Sequence, residues 1–165
     1  MATVIYKVGN DISTDVIYPG RYMATVLPSE TPLLAFADDA AFNARLKAKQ
    51  IPLGSVIVGG NNFGCGSSRE QAVSCLKGHE LVIVAKSFAR IFLQNAINLG
   101  LRVVSCPFIE AKEGDELEIT PTEVVNHTFG SRFAVIPQPK SRQAIIDAGG
   151  LVAYTRKRVL ETVAP

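Results

Sequence analysis

Gly59-Gly60-Asn61-Asn62-Phe63-Gly64-Cys65-Gly66-Ser67-Ser68-Arg69-Glu70-Gln71 lies between an apolar run, Ser55-Val56-Ile57-Val58, and an amphipathic stretch. It reads as a strand, a glycine-rich turn and a helix. The glycines permit positive φ angles and close approach of backbone. Ser67 followed by Glu70, or Ser68 followed by Gln71, satisfies the capping-box pattern, so the helix is predicted to begin at one of these serines. Backbone N–H groups and the positive end of a helix dipole would then meet there. Arg69 adds a planar fork suited to a carboxylate. The turn matches neither G-x-G-x-x-G nor G-x-x-x-x-G-K-[ST], which argues against a nucleotide.

Working outward, a second unit of the same kind follows, with Leu81-Val82-Ile83-Val84 leading into a helix after Lys86. Such continuous apolar strands suit a sheet covered on both faces. Upstream, Thr3 to Val8 alternates as a strand and stops at Gly9-Asn10-Asp11. Ile12 to Pro32 reads as a long connection and a candidate substrate loop, and Leu33 to Ala48 as a helix. Downstream, Arg102–Ser105, Glu116–Ile119, Glu123–Asn126 and Arg132–Ile136 read as short strands. Ser141 to Arg158 is a helix interrupted at Gly149-Gly150.

With 165 residues, 47% of them hydrophobic, the chain suits one domain over residues 1–165. Its 17 basic and 15 acidic residues are dispersed, which disfavours nucleic acid as a partner. No stretch approaches the ~18 apolar residues of a membrane span, so no membrane is expected. Cys65, Cys75 and Cys106 are odd in number and scattered, which fits a reducing, cytoplasmic setting and offers neither a disulfide framework nor a metal site. Cys65 is expected to pack rather than ligate. His79 and His127 are too far apart to suggest a metal pair.

Gly64-Cys65-Gly66-Ser67-Ser68-Arg69-Glu70, then Ala85-Lys86-Ser87-Phe88-Ala89-Arg90-Ile91-Phe92 and Asn95-Ala96-Ile97-Asn98, closely resemble the swivelling domain of the aconitase superfamily in its separate small-subunit form. The likeness extends to Asp11-Ile12-Ser13-Thr14-Asp15 and Pro19-Gly20-Arg21-Tyr22, and to Ala148-Gly149-Gly150-Leu151. It is nearest the 3-isopropylmalate dehydratase type. The resemblance implies an α/β fold, a three-layer β/β/α swivelling domain with a mixed sheet and flanking helices. It implies a hydro-lyase that dehydrates and rehydrates a small hydroxy-dicarboxylic acid. A [4Fe-4S] cluster is expected in a large partner subunit, in a heterodimer or heterotetramer, with no cofactor bound by this chain.

By the same resemblance Ser67 is the base that removes a proton α to a carboxylate, held by Ser68 and Arg69. Stabilising the alkoxide falls to the helix start, to Arg69 and to exclusion of water. Arg21, Tyr22, Met23 and Thr25 would contact substrate, and Gly64, Gly66, Lys86, Ser87 and Arg90 would support the turn. Lys86, Ser87 and Arg90 would open the second helix, where Ser87 can equally be an ordinary cap. Thr14 and Asp15 would position the loop or cap a turn. Relatives whose substrates carry an extra carboxylate have an arginine just after the segment matching Pro19–Tyr22. Here Met23-Ala24-Thr25-Val26-Leu27-Pro28 follows, which favours an alkyl side group, although Arg21 could reorient. Dimethylmalate, methylmalate or citraconate, and homoaconitate-type substrates stay open. So does a non-catalytic module that binds carboxylate or phosphate.

Overall fold

Valines and isoleucines alternate along the central strands, and the two sets serve different layers. In the computed structural model, which describes residues 1–163, Ala2–Lys7 (β1), Val56–Gly59 (β2), Val82–Ala85 (β3) and Arg102–Ser105 (β4) run parallel. Glu116–Ile119 (β5), Glu123–Asn126 (β6) and Ser131–Ala134 (β7) continue the sheet antiparallel from β1, in the order β4-β3-β2-β1-β5-β6-β7. Ile5, Ile57, Ile83 and Val103 face one core, together with Phe42, Leu46, Ala72, Leu76, Phe92 and Ala96. Val4, Val56, Val58, Val82, Val84 and Val104 face the other, against Ile109, Leu117 and Val124. A period of two thus sends alternate side chains into two separate hydrophobic layers.

The helices of the first layer are Thr14–Ile17 (α1), Ala40–Lys47 (α2), Gln71–Gly78 (α3) and Arg90–Leu99 (α4); Lys140–Asp147 (α5) and Leu151–Val163 (α6) follow β7. The second layer is the antiparallel half, folded back over the valine face. Ile136 N–H donates to Ser105 O at 2.8 Å, so the chain beyond β7 meets β4 and the two ends of the sheet come together. The mixed sheet with flanking helices and the β/β/α layering expected from the resemblance are both present. No helix of the described residues is long and apolar enough to cross a membrane.

Gly149-Gly150 breaks the last helix for a packing reason. Gly100 ends α4 with φ +73°, and Gly150 has φ +122°; a Cβ on Gly150 would lie 2.7 Å from Asn98 O. Backbone therefore packs on backbone at this joint, where only glycine fits. Lys77 on α3 fastens it, donating from Nζ to Gly149 O at 2.7 Å and to Leu99 O.

The Ile12–Pro32 connection holds α1 and a 3-10 turn at Gly20–Tyr22. Three expectations are corrected. Leu33 to Ala48 is not one helix: a 3-10 turn spans Thr31–Leu34, Phe36 adopts φ +49°, and α2 starts only after Asp39, whose carboxylate accepts the Phe42 N–H. The helix after the glycine turn begins at Gln71 with Glu70 at its N-cap, and neither Ser67 nor Ser68 caps it. The second helix begins at Arg90, so Lys86 and Ser87 precede it, and its N-cap is Ala89, not Ser87.

Candidate active site

The late start of α3 follows from pairing with a distant segment. Gly64 N–H and Cys65 N–H both donate to Ile12 O, at 2.7 and 3.2 Å, and Thr14 N–H donates to Cys65 O at 2.8 Å. This short parallel ladder holds residues 64 to 67 against Ile12–Thr14. It brings Thr14 Oγ1 to the Ser67 N–H and O, the backbone groups that a helix capped at Ser67 would use. Gly64 and Gly66 turn the chain with φ +80° and +96°. Beneath them Phe63, Phe88 and Phe92 form an aromatic floor, with Phe63 edge-on to Phe88 and Phe92 at centroid distances of 5.9 and 5.4 Å.

Ser67 stands exposed at the end of this ladder. Its N–H donates to Thr14 Oγ1 at 3.2 Å, and its own Oγ lies 3.1 Å from the same oxygen. Thr14 is buried, with 1% of its surface exposed. The neighbouring Ser68 is also exposed, and its carbonyl accepts from Asn95 Nδ2 at 3.1 Å, which ties the turn to α4. With α3 beginning at Gln71, the positive end of that helix lies past Ser67 and the Ser67 N–H is already taken. No N–H of α3 is bonded to the Ser67 hydroxyl, whose partner is Thr14 Oγ1.

Arg69 is engaged at one end of its fork. Its Nη1 is ion-paired with Asp15 Oδ1 and also reaches Tyr18 O at 3.5 Å, while Nε is buried with no acceptor among the described residues. Asp15 also accepts the Gly20 N–H at 3.2 Å, so one carboxylate joins the arginine to the start of the 20–30 loop. The hydrogen bond from Arg69 holds the Asp15 carboxyl below its ordinary range, helped by the guanidinium charge. Because the folded value is lowered, the tether is at full strength above the usual carboxylate range and is lost as pH falls through the lowered value. Carbonyl-detected titration should place the Asp15 midpoint below that of an unpaired aspartate, and Arg69→Gln should move it up.

The loop itself is tied down. Tyr18 Oη is placed to donate to Thr25 O at 3.0 Å or Tyr22 O at 3.2 Å, and Gln71 Nε2 donates to Met23 O at 3.4 Å. Arg21 pairs with Asp38 and stacks over the Tyr22 ring at 4.6 Å, so its charge is committed away from the turn. Met23 is exposed and Thr25 half-buried. Of the remaining sequence candidates, Ser87 accepts the Asn62 N–H on its Oγ at 2.9 Å, and its carbonyl accepts the Phe63 N–H at 3.0 Å, bracing the turn. Lys86 N–H donates to Gly60 O, and Arg90 is exposed at the start of α4. The structure thus gathers Ser67, Ser68, Arg69, Gly64, Gly66 and Ser87 around one turn. Arg21 is committed to Asp38 instead. Sequence reasoning missed the direct contact of Thr14 with Ser67, and the Ser13-Thr14-Asp15 run quoted beside the turn motif was the available signal.

The thiols do not suit an iron–sulfur cluster. Cys75 lies in the helix-side core and Cys106 in the other core, and burial raises both, Cys106 to about 11. Cys65 sits at the turn, with its Sγ 3.3 Å from Asp11 O. No group of three His, Cys, Asp or Glu among the described residues is placed to hold a metal ion.

A seven-stranded β/β/α body that lifts a serine on a twice-turned glycine segment defines a swivelling domain of the aconitase type. The family described as Aconitase C-terminal domain matches residues 11–107, and the chain belongs to it. It is similar over nearly its full length to a 3-isopropylmalate dehydratase small subunit of Methanosarcina acetivorans, at 41% identity over 94% of this chain and 96% of that one. An isopropylmalate/citramalate isomerase small subunit of Methanocaldococcus jannaschii is 41% identical over 96% and 95%. The crystal structure of a 3-isopropylmalate dehydratase chain from the latter organism superposes with a TM-score of 0.87 at 40% identity, covering 97% of this chain and 95% of that one.

Proposed function

We propose that this chain is a single-domain small subunit of a heteromeric iron–sulfur hydro-lyase that interconverts 2- and 3-isopropylmalate by dehydration and rehydration. The observation that carries the reading is the exposed Ser67 hydroxyl, seated on buried Thr14 with Arg69 two residues on. Ser67 takes the proton α to a substrate carboxylate. Ser68 and Arg69 hold that carboxylate; to do so Arg69 shares or exchanges its Asp15 partner, and its unpaired Nε–H favours gaining an acceptor. Gly64, Gly66, Lys86, Ser87 and Arg90 support the turn and its surroundings.

Tyr22, Met23 and Thr25 line the side-group end, with Arg21 bracing them. Met23, Val26 and Leu27 are exposed at 47%, 62% and 54% of their surface, and Arg21 is committed to Asp38. An alkyl group suits such a loop better than a further carboxylate, which would lose its water without gaining a partner. The cluster that acts on the leaving hydroxyl belongs to a large partner subunit, in a heterodimer or heterotetramer.

The test is reconstitution. Mixed with a purified, cluster-loaded large subunit of an isopropylmalate isomerase, the chain is expected to restore hydration of an alkylmaleate, and to do nothing alone. Tight calorimetric binding of isopropylmalate or inorganic phosphate by the isolated chain, with no restored turnover, would instead make it a binding module.

A further inference from the structure

The oxygen that meets Ser67 Oγ belongs to Thr14, and its proton has two destinations. Thr14 Oγ1 accepts the Ser67 N–H, lies 3.1 Å from Ser67 Oγ, and can donate to Ser67 O at 3.3 Å. A hydroxyl carries one proton and two lone pairs. While Ser67 is neutral, Thr14 can accept from both the N–H and the Oγ–H of Ser67 and donate to its carbonyl, so every capacity of the buried hydroxyl is used. When the exposed Ser67 Oγ gives its proton to solvent hydroxide, forming water, a rotation of the Thr14 O–H alone turns that donor onto the anionic oxygen.

We propose that Thr14 is the positioning residue of the Ser67 base, fixing its oxygen through the side chain and the backbone N–H and turning its hydroxyl proton onto the Ser67 alkoxide. The inference rests on the reading of Ser67 as the base. Three observations point to Thr14 rather than to the groups the sequence suggested. Arg69 is paired with Asp15, the start of α3 lies beyond the turn, and Thr14 is itself fixed, with its N–H on Cys65 O and its side chain 1% exposed. A donor held away from water gives a charge-assisted hydrogen bond without reorganising at the moment of reaction. In the transfer the substrate C–H bond breaks, its electron pair stays on carbon, and the proton forms the new O–H bond at Ser67. The Thr14 hydroxyl then turns back to Ser67 O. The methyl group of Thr14 takes no part, so serine should replace it.

The experiment compares Thr14→Val, Thr14→Ser and Ser67→Ala in the reconstituted enzyme. Thr14→Val is expected to lower kcat about tenfold to a hundredfold, the rate equivalent of one hydrogen bond to a charged oxygen, with KM within about twofold. The acid limb of the kcat profile should move to higher pH, because loss of a donor to the deprotonated form raises the pKa of Ser67. The primary isotope effect with α-deuterated substrate should grow, and Thr14→Ser should restore all three. Unchanged kcat, isotope effect and pH limb in Thr14→Val would overturn the proposal. So would equal losses in the valine and serine variants, which mark a purely structural role. Should valine prevent folding, Thr14→Cys, a weak donor of similar size, takes its place with the same expected ordering. Full turnover in Ser67→Ala would overturn the reading of Ser67 as the base, whereas an inactive Ser67→Ala beside an unaffected Thr14→Val would overturn only the role of Thr14.

Discussion

Ser67→Ala is expected to lower kcat of the reconstituted enzyme by about 10²- to 10⁴-fold, the usual contribution of a positioned general base. KM should change little, because the carboxylate contacts assigned to Ser68 and Arg69 are untouched. The fold should not notice the substitution. Ser67 is exposed, and Thr14 keeps both its acceptor role toward the residue 67 N–H and a carbonyl to donate to. Thermal unfolding of the isolated variant within about 0.5 kcal/mol of the parent, as for surface changes generally, would show that the loss is chemical. A variant that turned over at the parent rate would remove Ser67 from the chemistry.

Gly64→Ala should have the largest structural effect of any single methyl addition at the turn. Two independent terms act at this position. Its φ of +80° disfavours any side chain, at a cost of about 1–3 kcal/mol, and the new Cβ would fall inside contact distance of the Phe92 ring, where overpacking costs a further ~1–3 kcal/mol. The melting temperature should drop by on the order of 10 °C for a chain of this size. Calorimetry can weigh the ring's share of the clash. A Phe92→Ala background removes the ring but keeps the residue 92 Cβ, 2.5 Å from the added methyl carbon, so Gly64→Ala should cost less there than in the parent. An equal cost in both backgrounds would show that Phe92 does not limit the space above it.

The central strands were legible because each is a continuous apolar run, and a strand buried on both faces needs nothing else to be recognised. Which face each residue serves followed once the period of two was set in a sheet. The start of α3 was not legible. Ser67–Glu70 and Ser68–Gln71 are sound capping patterns, but the ladder that overrides them comes from Ile12–Thr14, about fifty residues away in sequence. Phe36 misled for a similar reason, because its left-handed backbone conformation carries no mark in an apolar sequence. The β/β layering came from the family resemblance, since short strands after β4 do not by themselves reveal that they fold back over the valine face. At the site, the motif located Ser67, Ser68 and Arg69 on one turn. The pairing of Arg69 with Asp15 and the seat of Ser67 on Thr14 are tertiary contacts that spacing cannot supply.

The side-chain anchors of the 22–25 segment, the Tyr18 hydroxyl and the Gln71 amide, both end on main-chain oxygens. Amino-acid identity at positions 23 and 25 can therefore be exchanged without severing what holds the segment in register, whereas Tyr22 also packs on the helix-side core and carries the Arg21 stack. Selectivity and architecture are uncoupled at those two positions, and a library randomised over them should yield altered preferences among substituted malates at little expense in folding.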